Sequence, residues 1–233
     1  MIDSLLVSKH LSDYLSSLQP DLPEFLEGLY NQAREERVPV IRREAQSLLR
    51  FLCLDREPGR VLEIGTAIGF SSCFMAEFLP EGAVLDTVEK DEARYSAAAA
   101  HINAYASDYE RRNNRKAPEI RPFKEDAEAF LVRLSASGAK YDLIFLDAAK
   151  AQYPVYLEHI EKLMTNRTVL LTDNVLQEGT LAESKFTVTR RDRTIHLRMR
   201  EFADVLFRSG RFDSILLPLG DGMTISRLSS NKE

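Results

Sequence analysis

The stretch LEIGTAIGFSS, residues 62–72, ends an apolar run and then places two glycines in a turn. The apolar run from Val61 to Ile64 predicts a β-strand, and Gly65 and Gly69 follow it ahead of a helical pattern. A glycine-rich turn between a strand and a helix lets the backbone approach a nucleotide-like ligand. This turn lacks the G-x-G-x-x-G triplet that brings a pyrophosphate onto a helix N-terminus. It therefore favours a ligand without pyrophosphate, such as a positively charged sulfonium with an amino-acid tail.

Short β-rich runs alternate with helical runs from Arg60 onwards, which indicates βαβ units and a parallel sheet. The predicted strands are 61–64, 83–89, 120–124, 141–147, 168–173, 212–217 and 223–228. The predicted helices lie near 70–79, 91–105, 126–136, 152–163 and 192–209. Only PLGDG (218–222) joins the last two strands, and because it is too short for a crossover they should pair antiparallel. The predicted fold class is thus α/β and Rossmann-like, with a mostly parallel seven-stranded sheet, an antiparallel C-terminal hairpin and helices on both faces.

The first 57 residues are predicted to form a helical segment of the same domain as the core, 58–233. Apolar residues recur at intervals of three and four, which predicts amphipathic helices near 3–17 and 41–54. The stretch 107–119, SDYERRNNRKAPE, is polar and is predicted to be a structureless basic loop.

Composition excludes several classes of protein. The net charge of −5 over 233 residues argues against a uniformly basic nucleic-acid binder. Two cysteines, Cys53 and Cys73, make no disulfide framework and favour a reducing cytoplasm. The four histidines do not cluster, which argues against a histidine-based zinc site. We expect no signal peptide and no membrane span, because no basic leader precedes an apolar core and no apolar run is long enough.

Acidic residues near the ends of strands complete a candidate cofactor site. Glu89 ends the second strand, where a carboxylate can accept hydrogen bonds from both ribose hydroxyls. Asp126 and Ala127 follow the third strand, level with the adenine end, and Glu63 lies inside the first strand beside Gly65. The alternative is that Glu89 only caps a strand and the glycines only make a turn.

Three further oxygen donors, Asp147, Asp173 and Asn174, end two predicted strands. Ligands of open α/β sheets bind beyond the carboxyl ends of the strands, so these side chains should face the same crevice. Two carboxylates and an amide suit Mg, Mn or Ca rather than zinc. Lys150 could then take a proton from a substrate hydroxyl. The alternative is that the three donors cap the helices that follow them.

The motifs LEIGTAIGFSS, TVEKD, FLDAAKAQY, TDNVLQEG and PLGDGMTISRL occur in this order and resemble the cation-dependent class I O-methyltransferases of the catechol and caffeoyl-CoA type. The resemblance runs from about residue 35 to 228. Within the family, the chain is similar to the bacterial tRNA 5-hydroxyuridine methyltransferases in RVPV (37–40), GTAIG, DAAKAQY, TDNVL and the arginine-rich segment after it. The resemblance implies S-adenosylmethionine as donor, a divalent metal and commonly a homodimer, with the N-terminal helices building the dimer and closing over the cofactor.

Residue roles follow from this resemblance by position. It implies that Asp147, Asp173 and Asn174 bind the metal and that Lys150 is the general base, so Lys150 and Asp147 are the catalytic candidates. The cofactor contacts that it implies are Ile41, Ser71, Glu89, Asp126 and Asp147. The chain departs from the tRNA enzymes in two places, since Glu125 stands where they have glycine and the stretch 107–119 is longer.

The acceptor should carry two adjacent oxygens, because a metal with two open neighbouring positions would chelate both. A catechol has this arrangement, and so does 5-hydroxyuridine at the wobble position of tRNA. The arginine-rich segments TRRDRTIHLRMR (189–200) and RRNNRK (111–116) favour the tRNA anticodon loop as partner. The alternatives are a small catechol-like or caffeoyl-CoA-like acceptor, a nicotinamide-dependent dehydrogenase, and a non-catalytic RNA-binding module.

Overall fold

The computed structural model describes residues 9–177, 179–183, 189 and 192–230, and a seven-stranded sheet lies at its centre. The strands are β1 Arg60–Ile64, β2 Val84–Glu89, β3 Glu119–Lys124, β4 Leu143–Leu146, β5 Val169–Thr172, β6 Phe212–Leu217 and β7 Met223–Leu228. Their order is β3-β2-β1-β4-β5-β7-β6, in which β7 runs antiparallel to both of its neighbours and the other pairs are parallel. The predicted sheet and its antiparallel C-terminal hairpin are confirmed.

Helices cover both faces of the sheet, as predicted. They are α1 Lys9–Ser17, α2 Glu24–Glu35, α3 Arg43–Arg56, α4 Phe70–Ala76, α5 Glu92–Asn113, α6 Ala127–Ala136, α7 Tyr153–Leu163 and α8 Arg193–Arg208. Within the described residues, no helix combines the length and the apolar character needed to cross a bilayer.

The strand β4 shows that the centre of the sheet is covered on both faces. Successive side chains of a strand point to opposite faces, so a strand covered on both faces is apolar throughout. Leu143 and Phe145 pack in one core cluster with α2, α3 and α4, whereas Ile144 and Leu146 pack in a second cluster with α6, α7 and α8. This continuous burial is what made β4 recognisable as a strand.

The N-terminal helices pack against the same core as the strands. Leu29 of α2 and Leu49 of α3 are buried in one cluster with Val61 of β1. The helices predicted near 3–17 and 41–54 correspond to α1 and α3, although residues 1–8 lie outside the described residues. The separate helix α2 was not predicted.

Residues 107–113 correct the prediction of a structureless loop over 107–119, since α5 continues to Asn113 and only 114–118 lie outside a helix or strand. Tyr109 is buried against Tyr105, with ring centroids 5.8 Å apart. The packing of this aromatic side chain holds an otherwise polar stretch against the core. Asp108 pairs with Arg111 and Arg112 at helical spacing, which supports the additional turns. The helix ends at Asn114, whose φ of 50° is left-handed.

The strand order places the carboxyl ends of β1, β4 and β5 side by side. The order in which strands are added switches side between β1 and β4, because β2 and β3 lie to one side of β1 whereas β4 and β5 lie to the other. Ligands of open α/β sheets bind in the crevice at this switch point. The turn after β1 and the residues after β4 and β5 border that crevice.

Replacing Tyr109 tests whether α5 extends through this segment. We expect Tyr109→Ala to lower the free energy of unfolding by about 3 kcal/mol, because a buried aromatic side chain is lost. Chemical denaturation measures the change. Val132→Ala on the exposed face of α6 is the control and should cost less than about 0.5 kcal/mol. Equal small losses in both variants would indicate that residue 109 is solvated.

Candidate active site

The turn after β1 requires glycine at residue 65 because its backbone directly contacts the backbone of Asp147, which follows β4. Gly65 has φ +104°, and a Cβ at this position would lie 2.0 Å from the carbonyl oxygen of Asp147. The amides of Gly65 and Thr66 donate to the carbonyl of Val88, both at 3.2 Å, which fixes the turn to β2 as well. No side chain larger than a hydrogen atom fits between the turn and β4.

Behind the turn, Glu63 is fully buried in a hydrogen-bonded group of hydroxyls. Ser72 Oγ and Thr87 Oγ1 donate to its Oε2, the latter at 2.6 Å, and Thr66 Oγ1 lies 2.6 Å from Thr87 Oγ1. Burial raises the pKa of Glu63, and the hydroxyls of Ser72 and Thr87 oppose that rise. Glu63 therefore braces the strand, the turn and α4 from behind.

In front of the turn lies a cavity of about 470 Å³, which we call the larger cavity. Its wall includes six of the residues predicted to contact a cofactor, namely Ile41, Gly65, Ser71, Glu89, Ala127 and Asp147. Two predicted contacts lie elsewhere: Glu63 is behind the turn, and Asp126 caps α6 by accepting from the amide of Glu128 at 3.0 Å. Arg94 and Tyr156 also line the cavity, although they were not among the predicted contacts.

Glu89 is held at the edge of the larger cavity by two backbone amides. Its Oε2 accepts from the amide of Ala67 at 3.1 Å, and its Oε1 accepts from the amide of Asp91 at 2.9 Å. Each oxygen keeps a further lone pair for a ligand. This position suits a carboxylate that accepts from the two hydroxyls of a ribose.

Asp147, Asp173 and Asn174 meet where β4 and β5 end, as predicted. The Asn174 side-chain amide lies 3.4 Å from Asp147 Oδ1, and the Asn174 backbone amide donates to Asp173 Oδ1 at 2.7 Å. All three line a second cavity of about 230 Å³, which we call the smaller cavity. Asp147 and Asn174 also line the larger cavity, so they separate the two spaces.

The electrostatics of this cluster suit a divalent cation. Burial raises the pKa of Asp147, and burial together with the neighbouring Asp147 raises the pKa of Asp173 to about 8. Two enclosed carboxylates repel each other, and a cation between them would relieve that repulsion. Within the described residues no three His, Cys, Asp or Glu side chains form a metal cluster. The groups that converge here are two carboxylates and one amide. This all-oxygen set fits Mg, Mn or Ca.

Lys150 lies beside the cluster and forms an ion pair that was not predicted. Its Nζ is 3.6 Å from Oδ2 of Asp221, a buried residue of the turn between β6 and β7. Asp221 also lines the smaller cavity with Asp173. The only signal for Asp221 in the sequence was the short motif PLGDG, which also contains the glycines that make this turn.

The model of a protein family described as O-methyltransferase matches residues 16–229, nearly the whole chain. This chain belongs to the O-methyltransferase family. The family assignment, together with the glycine turn and the Glu89 carboxylate at the edge of the larger cavity, identifies an S-adenosylmethionine-dependent O-methyltransferase. It also removes the nicotinamide-dependent dehydrogenase and the non-catalytic RNA-binding module as leading alternatives.

Individual relatives of this O-methyltransferase match over most of their length. A caffeoyl-CoA O-methyltransferase from Stellaria longipes is 26% identical and covers 96% of this chain and 92% of its own. A catechol O-methyltransferase from Niastella koreensis is 28% identical and covers 78% of this chain and 79% of its own. Among solved structures, the O-methyltransferase TomG from Streptomyces achromogenes in complex with SAM has a TM-score of 0.75 at 26% identity, covering 95% of this chain and 96% of its own.

The contact between Gly65 and Asp147 can be tested with alanine. We expect Gly65→Ala to lower the free energy of unfolding by about 3 kcal/mol or more, because the methyl group would overlap the Asp147 carbonyl. Gly138→Ala is the control, since Gly138 also has a left-handed φ of +72° but has nothing within 4 Å of a Cβ. The control should cost only about 1 kcal/mol in chemical denaturation. Equal costs would mean that the turn can move away from β4.

Proposed function

We propose that this enzyme methylates one hydroxyl of a small catechol-like or caffeoyl-CoA-like acceptor, with Mg as the preferred cation and Mn or Ca as alternatives. The observation that carries the proposal is the shared wall of the two cavities. Asp147 faces both the larger cavity, which has the features of a cofactor site, and the smaller cavity, which contains the oxygen cluster. A donor in one space and an acceptor in the other would meet at this residue.

The residues have separate roles in this proposal. When bound, S-adenosylmethionine supplies an electrophilic methyl group, and a divalent cation supplies charge that makes a neighbouring hydroxyl more acidic. Asp147, Asp173 and Asn174 would hold the cation, and Glu89 would orient the ribose of the donor. Lys150 would take the hydroxyl proton, and Asp221, whose Oδ2 lies 3.6 Å from Lys150 Nζ, would stabilise the resulting ammonium. The enclosed walls would align the acceptor oxygen with the methyl group and exclude water.

A tRNA wobble base is the second proposed acceptor, and it rests on the motif resemblance and the arginine-rich segments. Arg111 and Arg112 pair with Asp108, and Arg198 pairs with Glu201. These ion pairs reduce the net positive charge that would attract the phosphates of a tRNA. Arg190 and Arg191 lie outside the described residues. The names of the relatives, caffeoyl-CoA and catechol O-methyltransferases, also support the small acceptor.

A cytoplasmic homodimer is the proposed state of the protein. Apolar side chains are exposed on and beside the N-terminal helices, and a second copy could cover them. They are Leu11 and Tyr14 of α1, Leu18 directly after α1, and Phe51 and Leu54 of α3. Both cysteines are buried and free, as expected for a reducing compartment.

Methyl transfer from labelled S-adenosylmethionine tests the proposed function. We expect transfer to 3,4-dihydroxybenzoate that stops when EDTA is added and returns with Mg²⁺. Lys150→Met should lower kcat by about 100-fold, because a general base is lost. Lys162→Met, on the exposed face of α7, is the matched control and should leave the rate unchanged.

Two results would contradict the proposal. Undiminished transfer after chelation would remove the role of the cation. Transfer to tRNA that contains 5-hydroxyuridine, without transfer to any catechol, would favour the second acceptor.

A further inference from the structure

The mouth of the smaller cavity carries one side chain that neither the fold nor the proposed chemistry explains. Arg42 lines this cavity at the start of α3, where it occupies the N-cap position without making a side-chain cap. Its aliphatic stem lies beside the turn between β6 and β7, because a Cβ built on Gly220 would be 3.7 Å from Arg42 Cδ. The stem of Arg42 therefore runs along this turn at the edge of the cavity.

The adjacent residue, Arg43, has a structural role in the packing of α3 against α2. Arg43 donates to Glu27 Oε1 at 2.6 Å, and its guanidinium lies 4.5 Å from the centre of the Tyr30 ring. Arg42, by contrast, is exposed and makes no side-chain hydrogen bond or ion pair with any residue in the described part of the chain. Its charge is therefore available to a ligand.

The other residues that line the smaller cavity show where the Arg42 charge lies relative to the proposed reacting groups. Asp147, Asp173 and Asp221 form the acidic part of the lining, and Pro39, Val40 and Ala45 form an apolar part. Arg42 is the one cation among the lining residues that the structure describes. An acceptor whose hydroxyls lie at the acidic part would lay its ring against the apolar part and direct its other end to Arg42.

We propose that Arg42 selects acceptors that carry a carboxylate at the end remote from the reacting hydroxyls, which makes the substrate class dihydroxyaryl carboxylates. This inference rests on the proposed small-acceptor function. A planar guanidinium binds a carboxylate through two parallel hydrogen bonds, and such charged pairs are stronger than neutral ones. The cavity of about 230 Å³ is smaller than the ~300–1,000 Å³ of sites for drug-sized ligands. It therefore suits a single ring with a short acidic arm.

The test compares an acid with its own ester, which keeps the ring and both hydroxyls but removes the charge. Steady-state methyl transfer is measured on 3,4-dihydroxybenzoate and on methyl 3,4-dihydroxybenzoate, with the wild-type enzyme and with Arg42→Gln, Arg42→Lys and Arg208→Gln. The wild type should prefer the acid. Arg42→Gln should raise KM for the acid about tenfold or more, with little change in kcat or in the values for the ester.

Two further variants separate a specific contact from a general effect of charge. Arg42→Lys should restore part of the preference for the acid, because it keeps the positive charge but loses the planar fork. Arg208→Gln removes a charge from an exposed pair on α8 and should leave both substrates unchanged.

The possible failures are distinguishable. Equal loss on acid and ester in Arg42→Gln, or a wild type that prefers the ester, would overturn the role of Arg42 while the methyltransferase function stands. Absence of transfer to any catechol by the wild type would overturn the proposed acceptor and this inference together.

Discussion

The contact of the Gly65 turn with the carbonyl of Asp147 is the constraint on which the site depends. A Cβ at residue 65 would come within 2.0 Å of that oxygen, so the backbone after β1 and the backbone after β4 are in direct contact. This contact brings the turn that faces the larger cavity next to the first carboxylate of the smaller cavity. The other constraint is the parallel pairing of β4 and β5, whose carboxyl ends lie at the same edge of the sheet. This pairing brings Asp147, Asp173 and Asn174 together.

Such a cluster opposes folding unless something compensates its charge. Burial raises the pKa of both aspartates, and the charges of Asp147 and Asp221 raise the pKa of Asp173 further. Lys150 opposes both rises, and a divalent cation would offset the remaining repulsion. The apolar clusters on both faces of the sheet provide burial energy that offsets the cost of a buried, charged centre. Stability and function thus make opposite demands at the edge of the sheet.

Much of this arrangement could be predicted from the sequence, because the signals were local. The strands were visible as short β-rich runs, and the oxygen donors directly followed the two apolar runs that became β4 and β5. Residues 107–113 were wrongly predicted to be a loop, since their local polarity conceals the burial of Tyr109, which packs against Tyr105 within α5. Asp221 and Arg42 were missed for another reason: their places depend on how the C-terminal hairpin and α3 meet the crevice, and spacing along the chain carries no information about that contact.

The central claim is that one residue, Asp147, faces both the methyl donor and the cation, and a crystal of the enzyme with S-adenosylhomocysteine and Mn²⁺ tests it most directly. The account predicts an anomalous manganese peak at about 2.1 Å from carboxylate oxygens of Asp147 and Asp173, with the sulfur of the ligand on the opposite side of Asp147. A peak elsewhere, or a nucleoside bound outside the larger cavity, would contradict it.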